Sequence, residues 1–94
     1  MADSASLRAI VHGRVQGVFF RDFVRQHAQV LGLNGHVRNL PNGTAVEVVA
    51  EGPRDRLEEL LRQLHSGPQG AQVERVDEEW LPPSGSLHSF EVRF

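Results

Sequence analysis

The stretch GHVRNLPNGTAVEVVAE, residues 35–51, reads as two strands folded about a turn. Asn42-Gly43 is a strong short hairpin signal, because both positions tolerate positive φ. In the second arm Val46, Val48 and Ala50 share one face, and Glu47 and Glu51 share the other, the period of two expected of a half-buried strand.

Working outward, the hairpin is flanked on both sides by a strand and a helix. LRAIVH (7–12) alternates, with Leu7, Ala9 and Val11 on one face and Arg8, Ile10 and His12 on the other. FFRDFVRQHAQVL (19–31) places Phe20, Phe23, Val24, His27 or Ala28, and Leu31 on one helical stripe. Gly32 stands where a helix C-terminus favours glycine, and Leu33 is placed to pack back on the last turn. Downstream, PRDRLEELLRQLH (53–65) predicts a helix opened by Pro53 in its first turn, with Leu57, Leu60, Leu61 and Leu64 as its stripe. SGPQG (66–70) stops it, AQVERVDEEWL (71–81) predicts a strand, and Pro82-Pro83 breaks that strand. HSFEVRF (88–94) predicts a last strand with Phe90, Val92 and Phe94 facing inward.

The order βαββαβ plus a C-terminal strand is the split βαβ, ferredoxin-like arrangement of the α+β class. Each helix carries one apolar stripe, so both are expected on one face of a mostly antiparallel sheet, with the other face wet. The arrangement hosts many functions and does not choose among them. Residues 7–94 are expected to form a single domain behind a flexible leader, residues 1–6.

The bulk numbers narrow the function. A chain of 94 residues can bury one core unaided. It has no cysteine, hence no disulfide, thiolate metal site or thiol nucleophile. The net charge is −2, and all ten basic residues are arginines scattered along the chain, which argues against a nucleic-acid partner. An RNA-binding βαββαβ domain would need aromatic platforms on its central strands, and TAVEVVAEG (44–52) has none. No apolar run approaches the length of a membrane span, and MADSASLR (1–8) does not read as a signal peptide. A cytoplasmic, monomeric protein is the expectation. His12, His27, His36, His65 and His88 show no H-x-x-x-H or H-x-H spacing, so no metal site is expected.

The chemistry concentrates in GRVQGVFFR (13–21). A glycine-punctuated loop entering a helix can turn its N–H groups inward as a nest for an anion, next to the positive end of the helix. Gly13 and Gly17 lack the Cβ that would obstruct this, and Arg14, Val15, Gln16, Val18, Phe19 and Phe20 would contribute backbone amides more than side chains. The loop lacks the Gly-Lys-Ser/Thr of a nucleotide P-loop and the G-x-G-x-x-G fingerprint. A tight turn with no ligand is the competing reading. Arg21 in the first helical turn is a cation at the wrong end of the dipole, unless a bound anion reverses the sign. Pairing with Asp22 or Asp55 is the alternative. Asn39 shares parity with Val37, on a face that should be apolar, either as hairpin chemistry or to hold a water or substrate oxygen.

GRVQGVFFR (13–21) together with GHVRNLPNGTAVEVVAEG (35–52) resembles the acylphosphatase family, and the likeness runs on to the final FEVRF (90–94). The resemblance implies a small ferredoxin-like enzyme that hydrolyses acyl phosphates to a carboxylate and inorganic phosphate, without metal or organic cofactor. It implies that Arg21 binds the phosphoryl group, Asn39 orients the attacking water, and the Gly13–Phe20 amides hold phosphate oxygens. Phe19 stands where some relatives carry cysteine or glycine, and should alter packing under the loop. His36 stands where many carry tryptophan. The N-terminal domain of the large hydrogenase-maturation carbamoyltransferases resembles the same family; a chain of this length is expected to be the stand-alone enzyme. A non-catalytic anion or small-ligand binding module on the same fold is the alternative.

Overall fold

The computed structural model describes residues 3–94. The elements run β1 (Ser4–Arg14), α1 (Phe20–Val30), β2 (Asn34–Asn39), β3 (Ala45–Pro53), α2 (Arg54–Ser66), β4 (Gln72–Leu81) and β5 (Phe90–Arg93). The strands form one sheet in the order β4-β1-β3-β2-β5. All pairs are antiparallel except β2 with β5, which is parallel. This is the expected ferredoxin-like α+β arrangement: β1 and β2 run the same way with β3 inserted between them.

Both helices cover one face. α1 lies over β2 and β5, α2 over β1, β3 and β4, and the two helices touch. The alternations read in the sequence point as expected: Leu7, Ala9, Val11, Val37, Val46, Val48 and Ala50 meet Phe20, Val24, Ala28, Leu57, Leu60 and Leu64 in a single core. α1 ends in a Schellman motif. Gly32 takes φ 69°, its N–H donates to the Gln29 carbonyl, and the Leu33 N–H donates to Ala28, which seats Leu33 in the core.

Several expectations change. Of the supposed leader, Ser4–Ser6 belong to β1, with Ala5 and Ser6 buried; residues 1 and 2 lie outside the described residues. Ladder pairing with β3 along all three, joined by β4 at Ser6, outweighs the polar composition there. Pro53 closes β3 and precedes α2 instead of lying in its first turn. At the hairpin tip only Gly43 takes positive φ. The loop is longer than a two-residue turn, closed by Leu40 N–H to the Ala45 carbonyl at 3.0 Å.

The face away from the helices is not simply wet. Glu47 and Glu51 are both buried there. Glu47 accepts Arg8 Nε at 2.9 Å and Arg38 Nε at 2.7 Å, so two arginine stems roof its carboxylate. Glu51 accepts the Ser84 and Gly85 N–H groups of the β4–β5 connection, which folds over it. Burial pushes both carboxyls up, but these hydrogen bonds overcome it and leave both below the ordinary range.

Candidate active site

Three parallel-running strands, β1, β2 and β5, end at the same edge of the sheet, and α1 begins there. Strand alternation puts Asn39, the last residue of β2, on the helix side with Val37. The loop from β1 to α1 crosses above it. Val15, Gly17, Phe19, Phe20, Arg21 and Asn39 line one cavity of about 510 Å3, together with Asp22, Val92 and Phe94. The two side chains singled out in separate motifs, Arg21 and Asn39, therefore meet in one place.

The loop backbone is unusually open. Phe23 N–H makes the first helical bond, to the Phe19 carbonyl at 3.0 Å. Among the described residues, no backbone N–H from Val15 to Asp22 donates to an acceptor within the chain. Among the described residues no side chain caps the helix, and the N-cap position is Phe19 at φ 59°, ψ 28°. The left-handed region costs a non-glycine residue roughly 1–2 kcal/mol. Its side chain is 85% exposed, so the expectation that Phe19 alters packing under the loop does not hold.

Arg21 has no carboxylate partner among the described residues. Asp22, its candidate partner in the sequence, is engaged by Arg25 and by Gln26 Nε2 at 3.0 Å. The Arg21 guanidinium lies over the Phe94 ring, 4.6 Å from its centroid. Asn39 Oδ1 is buried and has no hydrogen-bond partner among the described residues. An orphaned acceptor is costly, about 1–3 kcal/mol, and calls for a ligand or a water.

The remaining predicted residues stand elsewhere. Gly13 and Arg14 belong to β1, beyond a register shift after His12, and pair with Val73 and Gln72 of β4. Gly13 donates its N–H to the Thr44 carbonyl at 3.0 Å, so it is not a free donor; glycine is required because a Cβ would lie 2.1 Å from the Gln72 carbonyl oxygen. Gly13, Arg14 and Gln16 line a separate recess with Gly43, Thr44 and Glu74. Val18 packs against the core.

Two contributions were not legible. Gln16 acts through its side chain: Nε2 donates to the carbonyls of Leu40 at 2.8 Å and Ala45 at 2.9 Å, tying the loop to the hairpin next to Asn39. Phe94 does not face inward; β5 ends at Arg93, and the ring is exposed at the cavity wall. No sequence signal marks either, since both depend on how distant segments cross. Asp22 is the one acidic side chain on the wall, and no group of three or more His, Cys, Asp or Glu side chains is gathered for a metal among the described residues.

Fold and cavity together define a small ferredoxin-like α+β protein with an arginine, an open amide array and an unpaired carboxamide around one pocket. The profile of the Acylphosphatase family matches residues 7–92. An acylphosphatase of Dehalococcoides mccartyi is 48% identical over 88 residues, covering 94% of this chain and 97% of that protein. The solved acylphosphatase of Bacillus subtilis superposes with a TM-score of 0.92 at 33% identity, covering 96% and 99% of the two chains. That of Coxiella burnetii superposes at 0.87 with 40% identity, covering 97% and 94%. The chain belongs to the acylphosphatase family, whose general activity is acyl phosphate hydrolysis. No helix among the described residues is long and apolar enough to cross a membrane.

Proposed function

We propose that the protein is a metal-independent acylphosphatase in which the Val15–Asp22 amides and Arg21 hold the phosphoryl group and Asn39 orients the attacking water. The observation that carries this reading is the pairing of an arginine without a carboxylate partner and an orphaned Asn39 Oδ1 on the walls of one cavity. Guanidinium and loop N–H groups suit a dianionic phosphoryl group, and an anion there turns the unfavourable position of Arg21 into a favourable one. Asn39 Oδ1 accepts a hydrogen bond from the water and so aims its lone pair at phosphorus. The new P–O bond forms as the bond to the acyl oxygen breaks. The electron pair leaves on the carboxylate, and the water's second proton passes to a phosphoryl oxygen. Acyl phosphate dianion and water thus become carboxylate and dihydrogen phosphate. The leaving group is already good, so positioning and charge stabilisation carry the rate. A cytoplasmic monomer acting on small acyl phosphates, with no nucleic-acid partner, is the setting we propose.

The test is loss of benzoyl phosphate in EDTA, with Arg21→Ala and Asn39→Ala in parallel. Rapid turnover by the parent and loss of most of it in both folded variants supports the reading. A parent that binds inorganic phosphate but leaves benzoyl phosphate intact is a binding module instead. A rate that needs added metal sinks the metal-independent reading, and a pH profile that demands a titrating side chain sinks the transfer of the water's proton to the phosphoryl group.

A further inference from the structure

We propose that the cavity carries an acyl subsite, built from Phe19, Val92 and Phe94, that takes an aromatic or comparably apolar acyl group. The inference rests on the phosphoryl-binding reading above. A phosphoryl group fills only a small part of about 510 Å3, a volume in the range of pockets that enclose whole small molecules. Apart from Arg21, Asn39 and Asp22, whose carboxylate is engaged by Arg25 and Gln26, the side chains on the cavity wall are apolar. The exposed large hydrophobic side chains among the described residues are Phe19, Val30, Leu81 and Phe94, and of these both phenylalanines stand on the cavity wall. Neither ring is used by the core.

Phe19 keeps its aromatic side chain at a left-handed position where glycine would be unstrained, and projects it outward with 85% exposure. Phe94 lies against the guanidinium that grips the phosphoryl group, at 4.6 Å. An acyl phosphate places its carbonyl carbon one bridging oxygen from phosphorus. With the phosphoryl group on Arg21, the acyl substituent is therefore within reach of the Phe94 ring, and Phe19 stands on the wall of the same cavity. An apolar substituent there would cover rings that water now wets, whereas a methyl group is too short to do so.

The measurement is the ratio of kcat/KM for benzoyl phosphate to that for acetyl phosphate, in the parent, Phe19→Ala, Phe94→Ala and Phe94→Tyr. Any general effect on Arg21 or the loop cancels in the ratio. The expected result is a fall of about five- to ten-fold in each alanine variant, carried by KM for the benzoyl substrate, with the ratio kept in Phe94→Tyr. An unchanged ratio in both alanine variants overturns the subsite. If the parent hydrolyses neither substrate, the catalytic reading fails separately. The subsite is then read by calorimetry with phenacylphosphonate and acetonylphosphonate, in which a methylene replaces the bridging oxygen. Tighter binding of the phenacyl compound, abolished by Phe94→Ala, upholds it, and equal binding of the two overturns it.

Discussion

Asn39 and Glu47 lie on opposite faces of the same β-hairpin, and the chain treats their buried oxygens in opposite ways. Both Glu47 oxygens accept arginine donors, and its carboxyl is held below the ordinary range. Among the described residues nothing donates to Asn39 Oδ1, and Asn39 lines a cavity with an arginine and a run of open amides. The saturated group serves the sheet, while the open one is available to a ligand. The same division holds for backbone strain: Phe19 is left-handed at the cavity, where an uncapped helix also begins. A fold can carry such local costs when the rest of the molecule over-determines them.

Breaking the cavity side should cost activity and little stability. Arg21→Ala is expected to lower kcat/KM for benzoyl phosphate about 1,000-fold, in the range for removing a donor to transition-state charge. The melting temperature should hardly move, since the loss of the Phe94 contact is set against removal of a cation from a helix N-terminus. Thermal unfolding and the assay together decide it; a large drop in melting temperature would make Arg21 a structural residue.

Gly13→Ala tests the boundary between the two regions. The added Cβ meets the Gln72 carbonyl at 2.1 Å with φ at +135°, so a loss of about 3 kcal/mol is expected in urea unfolding. A near-neutral result would show that the β1–β4 pairing yields easily at its bulge.

Glu47→Gln is the converse of Arg21→Ala. It should lower stability by about 1–2 kcal/mol, limited because Arg8 and Arg38 remain half exposed to water, and leave kcat/KM within about two-fold. Activity that falls with stability would mean that the open face governs the position of Asn39.

The pH dependence of melting sharpens the same contrast. Burial lowers the His36 pKa, with Arg93 and Arg38 adding to it against Glu47 and Glu91. The unfolded chain then takes up this proton first, so stability should decline as pH falls below about 6.5. Glu47 and Glu51, both depressed, contribute stability above about 4.5 that is lost as pH drops through their folded values. A melting temperature measured from pH 8 to 3 should bend twice, and His36→Gln should remove the upper bend alone. A flat profile between pH 7 and 5 would contradict the His36 part.

The smallest effect is a gain. Phe19→Gly relieves the left-handed strain and is expected to add about 0.5–1 kcal/mol of stability in urea unfolding, because no core packing is lost. A loss of stability would place the ring in a contact that matters to folding.

Much of the site was legible because its signals are local. The parity of Asn39 with Val37 marked an amide on an apolar face, and Arg21 stood out as a cation at a helix start. Less legible was which loop residues face the cavity. Gly13 and Gly17 look alike in sequence, yet one donates to Thr44 inside the sheet and the other lines the pocket. Nothing in the sequence marks the Gln16 side chain, whose Nε2 bridges two carbonyls 24 and 29 residues away while its backbone N–H stays open among the described residues.

The sequence by itself determined the order of elements, the buried faces of both helices and of β1, β2 and β3, and the residues of its two motifs. Those follow from the 3.6- and two-residue periods and from glycine, proline and capping chemistry, which act over a few residues. Only the tertiary structure decided that β5 lies parallel beside β2, that Glu47 is buried under two arginines, and that the Phe94 ring rests on Arg21. These are contacts between segments far apart in the chain. Their geometry is set by how the sheet closes over one core, and no local pattern encodes it.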